Sequence, residues 1–162
     1  MPLGSGTVTL ILTVRQVSFR PTIQSILSTF EEFNVATAEE IRTVITTYAG
    51  RFSANDRAGW LSLFADDATV EDPVGSEVKQ GMEGIGDFWD FVHTLSPSME
   101  LRLIGPVKVV GHEAAFGQQA ITDLGGEKFA VEIIDVMTFN DDGQITSMRA
   151  FWDAADMHPF ED

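Results

Sequence analysis

From Thr37 onward the apolar positions fall first at helical and then at strand spacing. Ile41, Val44, Ile45, Tyr48 and Phe52 recur at i, i+3, i+4, i+7 and i+11, which predicts an amphipathic helix over 37–52. Thr37-Ala-Glu-Glu40 marks its start as a capping box, a hydroxyl for the first-turn amides and a glutamate reaching back. Asn55 or Asp56 is placed to cap a second helix carrying Trp60, Leu61 and Phe64. Residues 68–72 predict a short strand that Pro73 stops, because proline lacks the ladder donor and keeps Asp72 extended. Gly75 and its neighbours read as a loop, and a third helix over 83–95 turns Ile85, Phe88, Trp89 and Val92 inward. Past Met99 the pattern becomes alternation. Strands are predicted at 99–104, 107–111, 113–122, 128–139 and 144–153, with turn signals at Gly105-Pro106, Gly125-Gly126 and Asp141-Asp142-Gly143. Helices followed by consecutive strands predict an α+β domain: a cone-shaped, curved antiparallel sheet packed against three N-terminal helices, enclosing an apolar pocket.

Residues 1–34 differ from this domain, which occupies 35–162. The run Thr7 to Val14 is apolar but has no Lys or Arg before it, and it is too short to span a bilayer. Residues 22–33 could form a short amphipathic helix through Ile23, Ile26, Leu27, Phe30 and Phe33. The segment is read as an appendage to the domain.

Composition narrows the chemistry. A chain of 162 residues with 44% hydrophobic positions can bury one core. A net charge of −15 argues against nucleic acid and anionic membranes as partners. The chain has no cysteine, so disulfides, thiolate catalysis and cysteine metal sites are excluded, and a cytoplasmic location is expected. His93, His112 and His158 are too scattered for a zinc motif, and no nucleotide cradle or hydrolase elbow occurs.

What remains is a small set of polar groups on apolar faces. Tyr48 is the chain's single tyrosine and lies on the buried stripe of the first helix, where its hydroxyl needs a partner. In the strand 128–139, Phe129, Val131, Ile133, Asp135, Met137 and Phe139 share one face, so Asp135 is the polar exception on an apolar surface. Desolvation there should raise its pKa and keep it a neutral hydrogen-bond donor. Ala68, Val70 and Asp72 likewise share a face, which turns Asp72 inward and Glu71 outward. Asp66 and Asp67 read as a solvated turn between helix and strand. A phenol, a neutral acid and an ionised carboxylate around an apolar cavity would suit proton abstraction next to a carbonyl, two donors holding the enolate oxygen while the carboxylate acts as base. Each of the three could instead be structural.

At these residues the chain resembles a known family. Phe64-Ala-Asp-Asp-Ala-Thr-Val-Glu-Asp-Pro-Val-Gly75 is similar to the base-bearing segment of bacterial Δ5-3-ketosteroid isomerases. Ile134-Asp135-Val136-Met137 resembles their second motif, and Tyr48 stands at the matching distance before the first. The resemblance covers about residues 37–155 and implies a nuclear-transport-factor-like (SnoaL-like) fold, a homodimer, a steroid substrate and no cofactor. It implies that Asp72 matches the base carrying a proton from steroid C4 to C6, and that Tyr48 and Asp135 match the donors to the C3 oxyanion. Trp152, and with it Phe88 and Trp89, resembles the aromatic lining of the steroid pocket. A neutral acid is itself a known device of this family, so the inference for Asp135 is not independent of the resemblance. The chain departs from relatives that extend the tyrosine donor through further tyrosines, because Phe64 and Trp89 stand where those would fall. Two alternatives stay open: another enzyme on this fold, such as a dehydratase, polyketide cyclase or epoxide hydrolase, or a non-catalytic carrier of steroids or other hydrophobic ligands. The enzymes would call for a His–Asp pair or an Arg-linked carboxylate pair, and Arg149 falls on the Ser147/Phe151 face, away from Met148 and Trp152.

Overall fold

The structure, a computed structural model, describes residues 36–161, so the predicted 22–33 helix and the 1–34 appendage lie outside the described residues. The helical stripe folds as its spacing requires. Helix α1 spans Ala38–Ser53 and buries Ile41, Ile45, Tyr48 and Phe52. Its capping box closes, with the Thr37 hydroxyl accepting from Glu40 N at 3.2 Å and Glu40 accepting from Thr37 N at 2.8 Å. The second helix, α2, is only Arg57–Leu61, capped by Asp56 accepting from Gly59 N. Phe64 is not on it. That residue opens strand β1, Phe64–Glu71, because Phe64 pairs with Ile145 and is drawn into the sheet. Asp66 and Asp67 are exposed as expected, but they sit within β1 at a register irregularity between Phe64 and Thr69 rather than in a turn.

A two-residue strand, β2 (Lys79–Gln80), lies where a loop was expected and pairs with β1. Helix α3 spans Gly81–Leu95. Strands β3 (Glu100–Val110), β4 (Glu113–Asp123), β5 (Lys128–Phe139) and β6 (Ile145–Phe151) then form an antiparallel meander. Gly105-Pro106 does not divide two strands. It forms an irregularity inside the single long β3, between Ile104 and Lys108, where Gly105 takes φ 70°. After a 3-10 turn at Ala154–Asp156, β7 (His158–Pro159) pairs with the start of β5.

The strand order is β2-β1-β6-β5-β4-β3, a curled sheet that does not close. The sheet is mixed rather than wholly antiparallel, because β1 runs parallel to β6. β1 is joined to that neighbour through α3 and the whole meander, so no hairpin sets its direction. The helices pack against the inner face. Trp60 is the centre of this packing, with ring centroids 5.4 Å from Tyr48, 4.6 Å from Phe64 and 4.9 Å from Trp89. We expect Trp60→Ala to cost about 3–5 kcal/mol, read as a lowered urea midpoint with an unchanged slope.

Candidate active site

Between the helices and the inner face of the sheet lies a cavity of about 440 Å³. That is within the range of small-molecule sites, on the order of 300–1,000 Å³. Its walls are mostly apolar, and α1, α3, β4, β5 and the chain beyond β1 and β6 all contribute.

Asp72 follows β1 and lines the cavity. Its carboxylate Oδ1 accepts from Trp152 Nε1 at 2.6 Å, which ties the end of β1 to the end of β6 across the parallel pair. The parity expectation holds on both sides of this position. Glu71 points the other way, to a 2.8 Å ion pair with Arg149 and a bond from Gly75 N. Burial raises the Asp72 pKa above the ordinary aspartate range, and the Trp152 N–H partly offsets it by stabilising the carboxylate.

Tyr48 lines the cavity from α1 and is nearly fully buried. Burial pushes its phenol well above the usual tyrosine range, and charge on Asp135 and on Asp72 would push it further. The proton therefore stays on, and the group is a donor. Phe64 lies edge-on to its ring at 6.3 Å, so no phenol continues a chain of hydroxyls from there. The Trp60 indole N–H, buried and in no hydrogen bond of normal geometry, acts in the opposite direction to burial on Tyr48.

Asp135 is 0% exposed, on the inner face of β5 as its parity predicts. It does not itself line the cavity. Its carboxyl is near enough to Asp72 and Tyr48 for their charges to couple. Desolvation first, and Asp72 second, raise its pKa well above the aspartate range, against a bond from Gln118 that lowers it. Of the two carboxyl groups, Asp135 is therefore driven further towards the protonated form, while the indole donor on Asp72 favours its charged form.

Of the predicted aromatic lining, Trp152 and Phe88 face the cavity. Trp89 does not. It is core, stacked on His93 at 3.9 Å and packed on Phe52 at 5.0 Å. Three polar residues escaped the sequence reading. Gln118 and Thr122 lie on the inner face of β4 with Phe116 and Ala120, all buried, and Ser96 ends α3. Gln118 Nε2 donates to Asp135 Oδ2 at 2.5 Å, and the Thr122 hydroxyl donates to Ser96 Oγ. The alternation that singled out Asp135 on β5 would have singled out Gln118 and Thr122 on β4. Ser96 carries no such signal.

An α+β domain with a curled sheet, holding a phenol and two carboxyl groups about an apolar cavity, defines a class of small-molecule pocket proteins. Within that class the chain belongs to the SnoaL-like domain family, whose model matches residues 44–148. It is 41% identical over 118 residues to the steroid Δ-isomerase of Nocardioides simplex, covering 73% of this chain and 94% of that enzyme. Among solved structures it resembles SalBIII, an epoxide hydrolase/cyclase-like enzyme of pyran ring formation in salinomycin. That likeness has a TM-score of 0.69 at 23% identity and covers 75% of this chain and 97% of SalBIII. These relatives are enzymes of one fold.

The buried acid makes a linkage prediction. A carboxyl with a raised folded-state pKa binds more protons in the native state, so the stability this one group contributes is full below about 3.9, the unfolded aspartate value, and is lost as pH rises through its folded-state value. Asp135→Asn removes that loss. It should raise the Tm at pH 7, and the difference from the unaltered protein should shrink towards pH 4 in thermal melts. An Asn variant less stable at both pH values would count against a buried neutral acid.

Proposed function

We propose that the protein is a steroid Δ-isomerase, which moves the C5=C6 double bond of a 3-oxo-Δ5-steroid into conjugation at C4=C5. The observation that carries this reading is Asp72, a carboxylate on the cavity wall held by an indole N–H, close to a buried phenol and a buried acid. In the mechanism Asp72 removes a proton from C4, and the electrons pass through a dienolate onto the C3 oxygen. Tyr48 and Asp135 stabilise that oxygen by donation. Asp72 then returns the proton at C6, so atoms balance with no cofactor and no external reductant. The identity to the Nocardioides simplex enzyme supports the same reaction. Arg149 is engaged with Glu71 and turned from the cavity, so among the described residues no arginine lines it to serve an Arg-linked carboxylate pair of the epoxide-opening kind.

The test is the appearance of conjugated enone absorbance from 5-androstene-3,17-dione. A rate no greater than that of buffer would refute the assignment. Asp72→Asn should remove most activity and Glu71→Gln little. Tyr48→Phe should cost on the order of 10²–10³-fold in kcat, as the loss of an oxyanion donor does elsewhere. Trp152→Phe removes a bond that lowers the Asp72 pKa, so the acid limb of the activity profile should move to higher pH.

The reading extends to a cytoplasmic homodimer. No helix among the described residues is long and apolar enough to cross a membrane. On the outer face of the sheet, Ile104, Gly117, Ile134 and Phe151 stand in register across four strands. Ile104, Ile134 and Phe151 are 41%, 54% and 41% exposed, an apolar row that a second copy would cover. Ile134→Glu should shift the sedimentation coefficient from that of a dimer to that of a monomer. A species unchanged by it would place any interface elsewhere.

A further inference from the structure

Gln118 and Asp135 are diagonal neighbours on the inner face of adjacent strands, since Gln118 pairs in register with Ile133. Both side chains are buried, Gln118 at 3% exposure. One bond joins them, from Gln118 Nε2 to Asp135 Oδ2 at 2.5 Å. That leaves two buried oxygens without a partner among the described residues, Gln118 Oε1 and Asp135 Oδ1. Two orphaned acceptors on a pair of planar groups already joined at the other corner are deficient by one proton. A proton on Oδ1 supplies it. A carboxamide and a neutral carboxylic acid then meet in a ring of two bonds, N–H to Oδ2 and O–H to Oε1, and no buried polar atom of the pair is left unpaired.

We propose that Gln118 is a positioning residue for Asp135: it forms this acid–amide ring in the free protein, keeps the acidic proton on Oδ1, and yields that proton's hydrogen bond to the ligand oxygen. The inference rests on reading Asp135 as an oxyanion donor. Its physical content is orientation. The amide N–H on Oδ2 makes that oxygen the poorer seat for the proton and holds the carboxyl plane, so the donor is aimed before a ligand arrives. No covalent bond changes. The O–H exchanges one acceptor, Gln118 Oε1, for another, the ligand's carbonyl or enolate oxygen. Gln118 lines the cavity where Asp135 does not, so of the pair the amide is the one that borders the space an incoming molecule would fill. Among the described residues the titratable groups about the pair are Tyr48 from α1 and Asp72 beyond β1.

Infrared difference spectra of the full chain at neutral pH test the ring without any steroid. The unaltered protein minus Asp135→Asn should show the C=O band of a protonated carboxyl. Gln118→Leu should move that band to higher wavenumber, because the carbonyl loses its N–H donor. No such band, or a band in the same place in Gln118→Leu, overturns the proposal. Should that variant fail to fold, the side-chain amide of Gln118 in the unaltered protein decides by nuclear magnetic resonance. One Nε2 proton shifted well downfield of the ordinary glutamine range and protected from solvent exchange supports the ring, and two protons at ordinary shifts in fast solvent exchange overturn it. Saturation with equilenin, a phenolic steroid, should shift the carboxyl band as its oxygen takes the hydrogen bond, and an unmoved band in the bound protein overturns the hand-over. In turnover, Gln118→Leu should lower kcat by up to about 10²-fold, as a misplaced donor does, with little change in KM. A chain that binds no steroid would overturn the isomerase reading, while the free-protein band and its shift would still support or refute the ring.

Discussion

The site depends on one unfavourable placement, a carboxyl group at Asp135 buried with no cation beside it among the described residues. Charge on another carboxylate, Asp72, raises its pKa as burial does, so the two act on it in the same direction. The cheapest resolution is a proton, and with that proton the residue changes from acceptor to donor. Everything else in the cavity follows from the change. Tyr48 can remain a donor beside it rather than a second anion. Asp72 can remain ionised because its neighbour is neutral and because Trp152 Nε1 stabilises its charge. An arginine beside Asp135 would have removed the strain and the chemistry together.

Such a site needs a frame that does not relax. Trp60, Phe52, Phe64 and Trp89 pack about Tyr48 with ring centroids between 4.6 and 6.5 Å of their neighbours, so the phenol cannot turn away to find solvent. The sheet supplies the opposite wall through strict alternation, Asp135 inward and Ile134 outward, Met148 inward and Arg149 outward. The same alternation that builds the cavity leaves an apolar row on the outer face. The fold alone does not choose a reaction, since one scaffold carries steroid isomerisation in one relative and pyran ring formation in another. The choice lies in a few side chains on the cavity wall.

Much of this was legible in the sequence for local reasons. The α1 stripe, the capping box, the parity of Asp135 and the opposed directions of Glu71 and Asp72 follow from periods of 3.6 and 2 and need no distant partner. Three features needed one. Phe64 became strand because Ile145 pairs with it. Gly105-Pro106 became an irregularity rather than a turn because β4 runs on beside both halves of β3. The parallel pairing of β1 with β6 joins segments far apart in the chain, and no local pattern specifies the direction of such a pair.

The site divides in the same way. The sequence by itself determined which polar groups face inward, because side-chain direction on a helix or strand is a local property of the backbone. Only the tertiary structure decided what they meet. It placed Trp152 on Asp72, withdrew Trp89 into the core and joined Gln118 to Asp135, because the distance between residues on different strands is set by register and curl. The carboxyl at Asp135 could be foreseen as neutral from its face of the strand. That a buried amide is bonded to it could be seen only once β4 and β5 lay side by side.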